Sequence, residues 1–204
     1  MTLHLFFSWQ VETDTKKQHN KPFILECLNA AAKRVQNTGE LKGISIQVEE
    51  GVSGEAGNPD TIGVCENRID NCHIFVADMT IAEHYTWLER LASKLSGKKH
   101  RVGPNRNVIN EYSRAKAKKR DGQIITIMNT INGDVTKDNE LFPIDIRKYR
   151  FPITFALTKD EKYYSKKLYN KVKKGFINEL AKAIQESAKE ALKHLEDEMI
   201  PFVN

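Results

Sequence analysis

His73-Ile-Phe-Val-Ala-Asp78 and Gln123-Ile-Ile-Thr-Ile-Met128 are short apolar runs, each preceded by helix-like sequence. A half-covered strand alternates apolar and polar residues, whereas a continuous run predicts a strand covered on both faces. Leu3-His-Leu-Phe-Phe7 is a third candidate of the same kind, and Ile44-Ser-Ile-Gln-Val48 alternates as a strand does. Phe151-Pro-Ile-Thr-Phe-Ala156 is read as the last strand, and Pro152 assigns it to a sheet edge because proline donates no ladder hydrogen bond. Helical patterns fall between these runs. Pro22 opens one that continues to about Gln36 through Phe23, Leu25, Leu28, Ala31, Ala32 and Val35. Asp60 caps a second, carrying Ile62, Val64, Cys65 and Ile69, and Asn105 starts a third that reaches Arg120. Alternating strands and helices predict an α/β fold: a parallel sheet of about five strands with helices on both faces. Ligands in such folds bind beyond the carboxyl ends of the strands.

Four further stretches complete the expected layout. Residues 79 to 103 interrupt the rhythm, and Tyr85, Trp87, Leu88, Leu91 and Leu95 suggest an inserted short helix followed by a basic loop. Phe142 to Arg147 is read as one turn, and Glu49 to Pro59, with three glycines and a proline, as a loop. From Thr158 onward the chain reads as helical, with Phe176, Leu180, Ile184, Ala188, Ala191 and Leu195 forming one apolar stripe. That stripe fits the sheet, a second copy, or a further domain equally well.

Composition narrows the function classes. The 204 residues suffice for one substantial core, and 40% hydrophobic with 29% charged residues is ordinary for a water-soluble protein. No apolar run approaches the roughly 20 residues needed to span a bilayer. The start lacks a basic leader, so a cytoplasmic location is expected. Cys27, Cys65 and Cys72 form neither a disulfide framework nor a metal-binding spacing. The net charge of +5 is unevenly placed: residues 94 to 120 hold ten Lys or Arg and a single acid, Glu111. Such a field attracts phosphate groups or is simply a solvated surface.

The candidate chemistry centres on Pro104-Asn-Arg-Asn-Val-Ile-Asn-Glu-Tyr112. Glu111 follows Asn107 by four residues, which puts both side chains on one helical face. A glycine-rich stretch, Gly51 to Gly57, has the wrong spacing for a phosphate loop, and Ser8 lacks the frame of a nucleophile elbow. What remains is one carboxylate with amides, the aromatic Trp9 and a positive rim. A lone carboxylate can stabilise a sugar cation when the leaving group departs easily, as nicotinamide does from NAD. Trp9 can stack on a substrate ring, and basic residues can neutralise a pyrophosphate. These residues alone do not select NAD over another nucleotide.

Several motifs occur together in a familiar order: Leu5-Phe-Phe-Ser-Trp-Gln10, Gly57-Asn-Pro-Asp60, Ile69-Asp-Asn-Cys-His-Ile-Phe-Val-Ala-Asp-Met-Thr80, Pro104-Asn-Arg-Asn-Val-Ile-Asn-Glu111 and Phe142-Pro-Ile-Asp-Ile-Arg147. With them, the chain resembles a bacterial TIR-like domain of the kind that hydrolyses or rearranges NAD in antiphage defence. The resemblance implies a flavodoxin-like TIR fold in a catalytic domain over residues 1–157, with residues 158–204 a helical extension. It implies that Glu111 is the catalytic glutamate, that Ser8 and Trp9 border the nucleotide, that Asp78 lies beside it, and that Asn105 and Asn107 match the motif's asparagines. NAD+ would be the substrate, with no tightly bound cofactor and no metal. Partners would be further copies of the chain through TIR-TIR contacts and a possible sensor, with no membrane and no nucleic acid. Where many relatives continue with Leu-Gly, this chain has Tyr112-Ser113, an expected change in helix packing or pocket shape. Two alternatives accompany this expectation: a nucleoside deoxyribosyltransferase-like enzyme, and a noncatalytic TIR scaffold for protein-protein signalling.

Overall fold

The computed structural model describes residues 1–10, 20–37, 39–51, 60–81, 103–137, 151–158, 160–161 and 165–199. The expected helix within 79–103, the expected turn from Phe142 to Arg147 and most of the loop from Glu49 to Pro59 lie outside these residues. Five strands are present among the described residues: β1 (Thr2–Ser8), β2 (Ser45–Glu50), β3 (Ile74–Asp78), β4 (Ile124–Asn129) and β5 (Ile153–Phe155). Four longer helices accompany them: α1 (Asn20–Gln36), α2 (Thr61–Asn71), α3 (Arg106–Lys118) and α4 (Lys166–Met199).

The sheet runs β2-β1-β3-β4-β5, and every pairing is parallel. This is the strand order of flavodoxin-like α/β folds. Proline explains the short last strand, because Pro152 stops just outside β5 on the sheet edge.

Strand alternation divides the core in two. Leu3, Leu5 and Phe7 face α1 and α4, together with Ile74, Val76, Ile125 and Ile127. Phe6, Phe75, Ala77 and Met128 face the other way and pack with Ile69 of α2 and Val108, Tyr112 and Ala115 of α3. Both faces are therefore covered, which is why the strands read as continuous apolar runs.

The stripe on α4 packs on this sheet. Phe176, Leu180, Ile184 and Ala188 are buried in the same cluster as β1 and α1. Its centre is aromatic: ring centroids lie 5.0 Å apart for Phe23 and Phe155, 5.8 Å for Phe23 and Phe176, and 4.6 Å for Phe155 and Phe176. Such pairs add about 0.5–1.5 kcal/mol beyond their burial. A cap stands at Thr158, where the helical stretch was expected to begin. Thr158 N–H donates to Glu161 Oε2 and Glu161 N–H to Thr158 Oγ1, at 2.8 and 3.0 Å, which is capping-box geometry.

Candidate functional site

The chain reverses its direction of travel across the sheet between β1 and β3, since β2 lies on one side of β1 and β4 on the far side of β3. That reversal opens a crevice at the carboxyl ends of the two strands. Ser8 ends β1 beside Ala77, and Asp78 ends β3 beside Ile127.

A buried polar network forms the floor. Asp78 accepts hydrogen bonds from the Thr80 backbone N–H at 3.0 Å and from the Thr80 hydroxyl, which closes the turn after β3. The same hydroxyl accepts from Asn20 Nδ2 at 3.1 Å and from the Asn129 N–H at 2.9 Å. One donated and two accepted bonds fill a hydroxyl's capacity. Asn129 donates through Nδ2 to Asn20 Oδ1 and to the Leu157 carbonyl, both at 2.8 Å, so it joins α1 to the end of β5. Gln10 completes the floor: its Nε2 donates to the carbonyls of Asp78 and Thr80 at 3.2 and 2.6 Å, and its Oε1 accepts from the Asn105 N–H at 2.8 Å.

Asn105 then starts α3. Its side chain accepts from the Asn107 N–H at 2.6 Å, satisfying one of the orphan donors of a first helical turn. Val108, Tyr112 and Ala115 recur at helical spacing and are buried against the sheet. Glu111, beside that stripe, is half-buried. Burial pushes its carboxyl above the ordinary value of 4.5, and the Ser8 hydroxyl pulls it the other way. Ser8 Oγ is itself enclosed and has no hydrogen bond of full geometry. The enclosed Ser8 hydroxyl therefore lies beside the Glu111 carboxyl. Across from it on α2, burial raises the Cys65 thiol, and the Glu111 carboxylate raises it further. Glu111 thus lies among the end of β1, α2 and its own helix.

The residues expected to form the site separate into groups. Ser8 and Glu111 come together. Asp78 is fully buried and ties its own turn, Asn105 caps α3, and Asn107 is exposed with its backbone held by that cap. Trp9 points to the opposite face from Ser8, as strand alternation requires, and packs against the α1 cluster. Lys21 Nζ sits 3.8 Å over the Trp9 ring and pairs with Glu50 at 3.0 Å. Tyr112 is buried in the core with Phe75 and Val108. Sequence reading did not single out Gln10, Asn20, Thr80 or Asn129. Their signal was faint but present, since Gln10 and Thr80 stand two residues beyond a strand end and Asn129 ends β4.

Among the described residues of the basic field, Arg114, Lys116, Lys119 and Arg120 form an internal framework. Arg114 grips Asp70 through two bonds at 2.7 and 2.8 Å and meets Glu66 at 3.2 Å, joining α3 to α2. The Arg114 guanidinium holds the Asp70 carboxyl below its ordinary range. Lys116 pairs with Asp121, and Lys119 donates to the carbonyls of Cys72 and Asp70. Arg120 bonds Asp197 at 2.8 Å and lies 3.6 Å from Glu190, so it reaches α4. A groove of about 600 Å³ near the start of β4 is lined by Tyr112, Lys116, Ile124, Phe151, Ala183 and Glu186. It lies at the amino ends of the strands, away from the crevice that holds Glu111.

No cluster of three His, Cys, Asp or Glu arranged to hold a metal ion occurs among the described residues. No helix among them is long and apolar enough to cross a membrane. No family profile matches this sequence, and no curated protein matches it.

Proposed function

We propose that this chain cleaves the bond between nicotinamide and ribose in NAD+, releasing nicotinamide and ADP-ribose or a cyclic form of it. The observation that carries this reading is the half-buried carboxylate of Glu111 beside the enclosed Ser8 hydroxyl, at the switch point of a parallel sheet. The ordered motifs that resemble bacterial TIR-like domains supply the substrate class.

As the glycosidic bond breaks, its electron pair moves onto the nicotinamide ring nitrogen, which becomes neutral. Positive charge then gathers on the ribose. An ionised Glu111 stabilises that charge and accepts hydrogen bonds from the ribose hydroxyls. Water captures the ribosyl carbon and loses a proton, or a nucleophile within the ADP-ribose closes the ring. The low-dielectric surroundings that raise the carboxyl also strengthen its attraction for the cation. In this reading the chain acts as an assembly-activated effector or signal producer in antiphage defence, with further copies of itself as partners.

The test is chromatography of nicotinamide and ADP-ribose products from NAD+ over rising protein concentration, with Glu111→Gln and Glu111→Ala run alongside. Turnover that increases with assembly is expected, with a loss of about 10²-fold or more in both variants, the scale for removing a preorganised electrostatic contact. Full activity in a folded Glu111→Ala protein would falsify the mechanism.

A further inference from the structure

Residues 82–102 lie between the end of the β3 turn and the start of α3 in sequence, and the two described ends are also connected directly. A side chain from β1's far end makes that connection. Gln10, only 3% exposed, donates to the Asp78 and Thr80 carbonyls and accepts from the Asn105 N–H. Two carbonyls on one side and an N–H on the other fix the orientation of its carboxamide, because only Nε2 can donate and only Oε1 can accept. Asn105 is the N-cap of α3, and Glu111 lies on that helix's second turn.

We propose that Gln10 is a positioning residue for Glu111: it clamps the start of α3 to the ends of β1 and β3, and so sets the depth at which the Glu111 carboxylate faces Ser8. The proposal rests on the reading of Glu111 as the reacting carboxylate. Gln10 spends these hydrogen bonds on three backbone groups in two segments, the β3 turn and the start of α3, so it acts through Asn105 and needs no contact with substrate. Without it, the start of α3 is held by its own cap and by the packing of Val108, and the helix can tilt away from the crevice. Hydrated more fully, Glu111 would return toward the ordinary carboxyl range.

Gln10→Met retains length and bulk while removing both functions of the carboxamide. In a folded Gln10→Met protein, kcat should fall by about 10²-fold with little change in KM, the cost of misplacing a reacting group by about 1 Å. The acid limb of the kcat profile should move to lower pH. A second readout needs no turnover. Cys65 feels the Glu111 charge, while Cys27 and Cys72 are buried, with thiols pushed up to about 12 and about 11. Native alkylation of Cys65, followed by mass spectrometry, should therefore be faster in Gln10→Met by about threefold or more as the thiolate fraction rises. Unchanged kcat together with an unchanged Cys65 profile overturns the proposal. So does a loss shared by kcat and KM with an unmoved acid limb, which marks general structural damage. If wild-type protein leaves NAD+ intact, the NAD reading fails and the Cys65 profile alone decides the role of Gln10. If Gln10→Met does not fold, Gln10→Asn, with an amide one methylene shorter, is measured in the same way.

Discussion

Replacing Phe176 with alanine tests whether α4 is an integral wall of this domain. Phe176 is 3% exposed and contacts the rings of Phe23 on α1 and Phe155 on β5, so its removal opens a hole where three elements meet. Deleting a buried phenylalanine costs about 3–5 kcal/mol, and the rigid aromatic neighbours here leave little room for collapse. That is a large part of the roughly 5–15 kcal/mol that holds a typical domain together. At about 2–4 °C per kcal/mol for a chain of this size, Tm should fall by about 6–20 °C. Urea unfolding of the wild type, Phe176→Ala and the exposed control Lys174→Ala would measure it. The urea midpoint should drop for Phe176→Ala with its slope unchanged, because the surface exposed on unfolding is nearly the same. NAD+ turnover per folded molecule should be retained, since Phe176 and Glu111 lie on opposite faces of the sheet. A loss below about 1 kcal/mol, the scale of a surface change, would show that α4 is a loosely attached extension.

Glu111→Gln should raise stability at neutral pH while lowering the proposed NAD+ turnover by about 10²-fold or more. Folding raises the Glu111 pKa, so its contribution is fully favourable below the unfolded value near 4.5 and is lost as pH rises through the folded value. The two proteins should therefore unfold at converging urea midpoints as the buffer is taken toward pH 4, and a variant that is less stable at pH 7 contradicts the burial argument. His73 has the opposite sign. Its Nδ1 accepts the His4 N–H at 3.0 Å, and burial, the stacked His4 ring and Lys119 depress its pKa, with Glu49 held by His4 at 2.7 Å on the far side. Its contribution is present above about pH 6.5 and is lost as pH falls through the lower folded value. Midpoints measured from pH 7.5 to 5 should fall, and His73→Asn, which keeps an acceptor for His4, should flatten that slope; an equal slope in both proteins removes His73 from the explanation.

The strands and helices were legible because burial on both faces leaves a periodic trace. His73 to Ala77 and Gln123 to Met128 each fell within one residue of β3 and β4, and Asp60 and Asn105 were read correctly as caps because a cap bond is local. The site was only half legible. Glu111 stood out as a single acid in a basic stretch, but the bonds that locate it link Gln10 to partners 68, 70 and 95 residues away. No local pattern encodes such spans. The partners of Arg114 and Arg120 were hidden for a related reason, since their acids lie on α2 and α4. The stripe of α4 specified that the helix packs, while its partner emerged only from the strand order.

That partnership bears on how the molecule is made. The ribosome releases β1 and α1 first, yet the part of the wall that lies over β3, β4 and β5 on that face is α4, synthesised long after them. Until α4 emerges, that part of the nascent sheet stays greasy and open, and its contacts are among the most distant in sequence that the chain must form. A pause or truncation before Lys166 would leave an aggregation-prone intermediate, and holdase chaperones should find their main footing on that uncovered side.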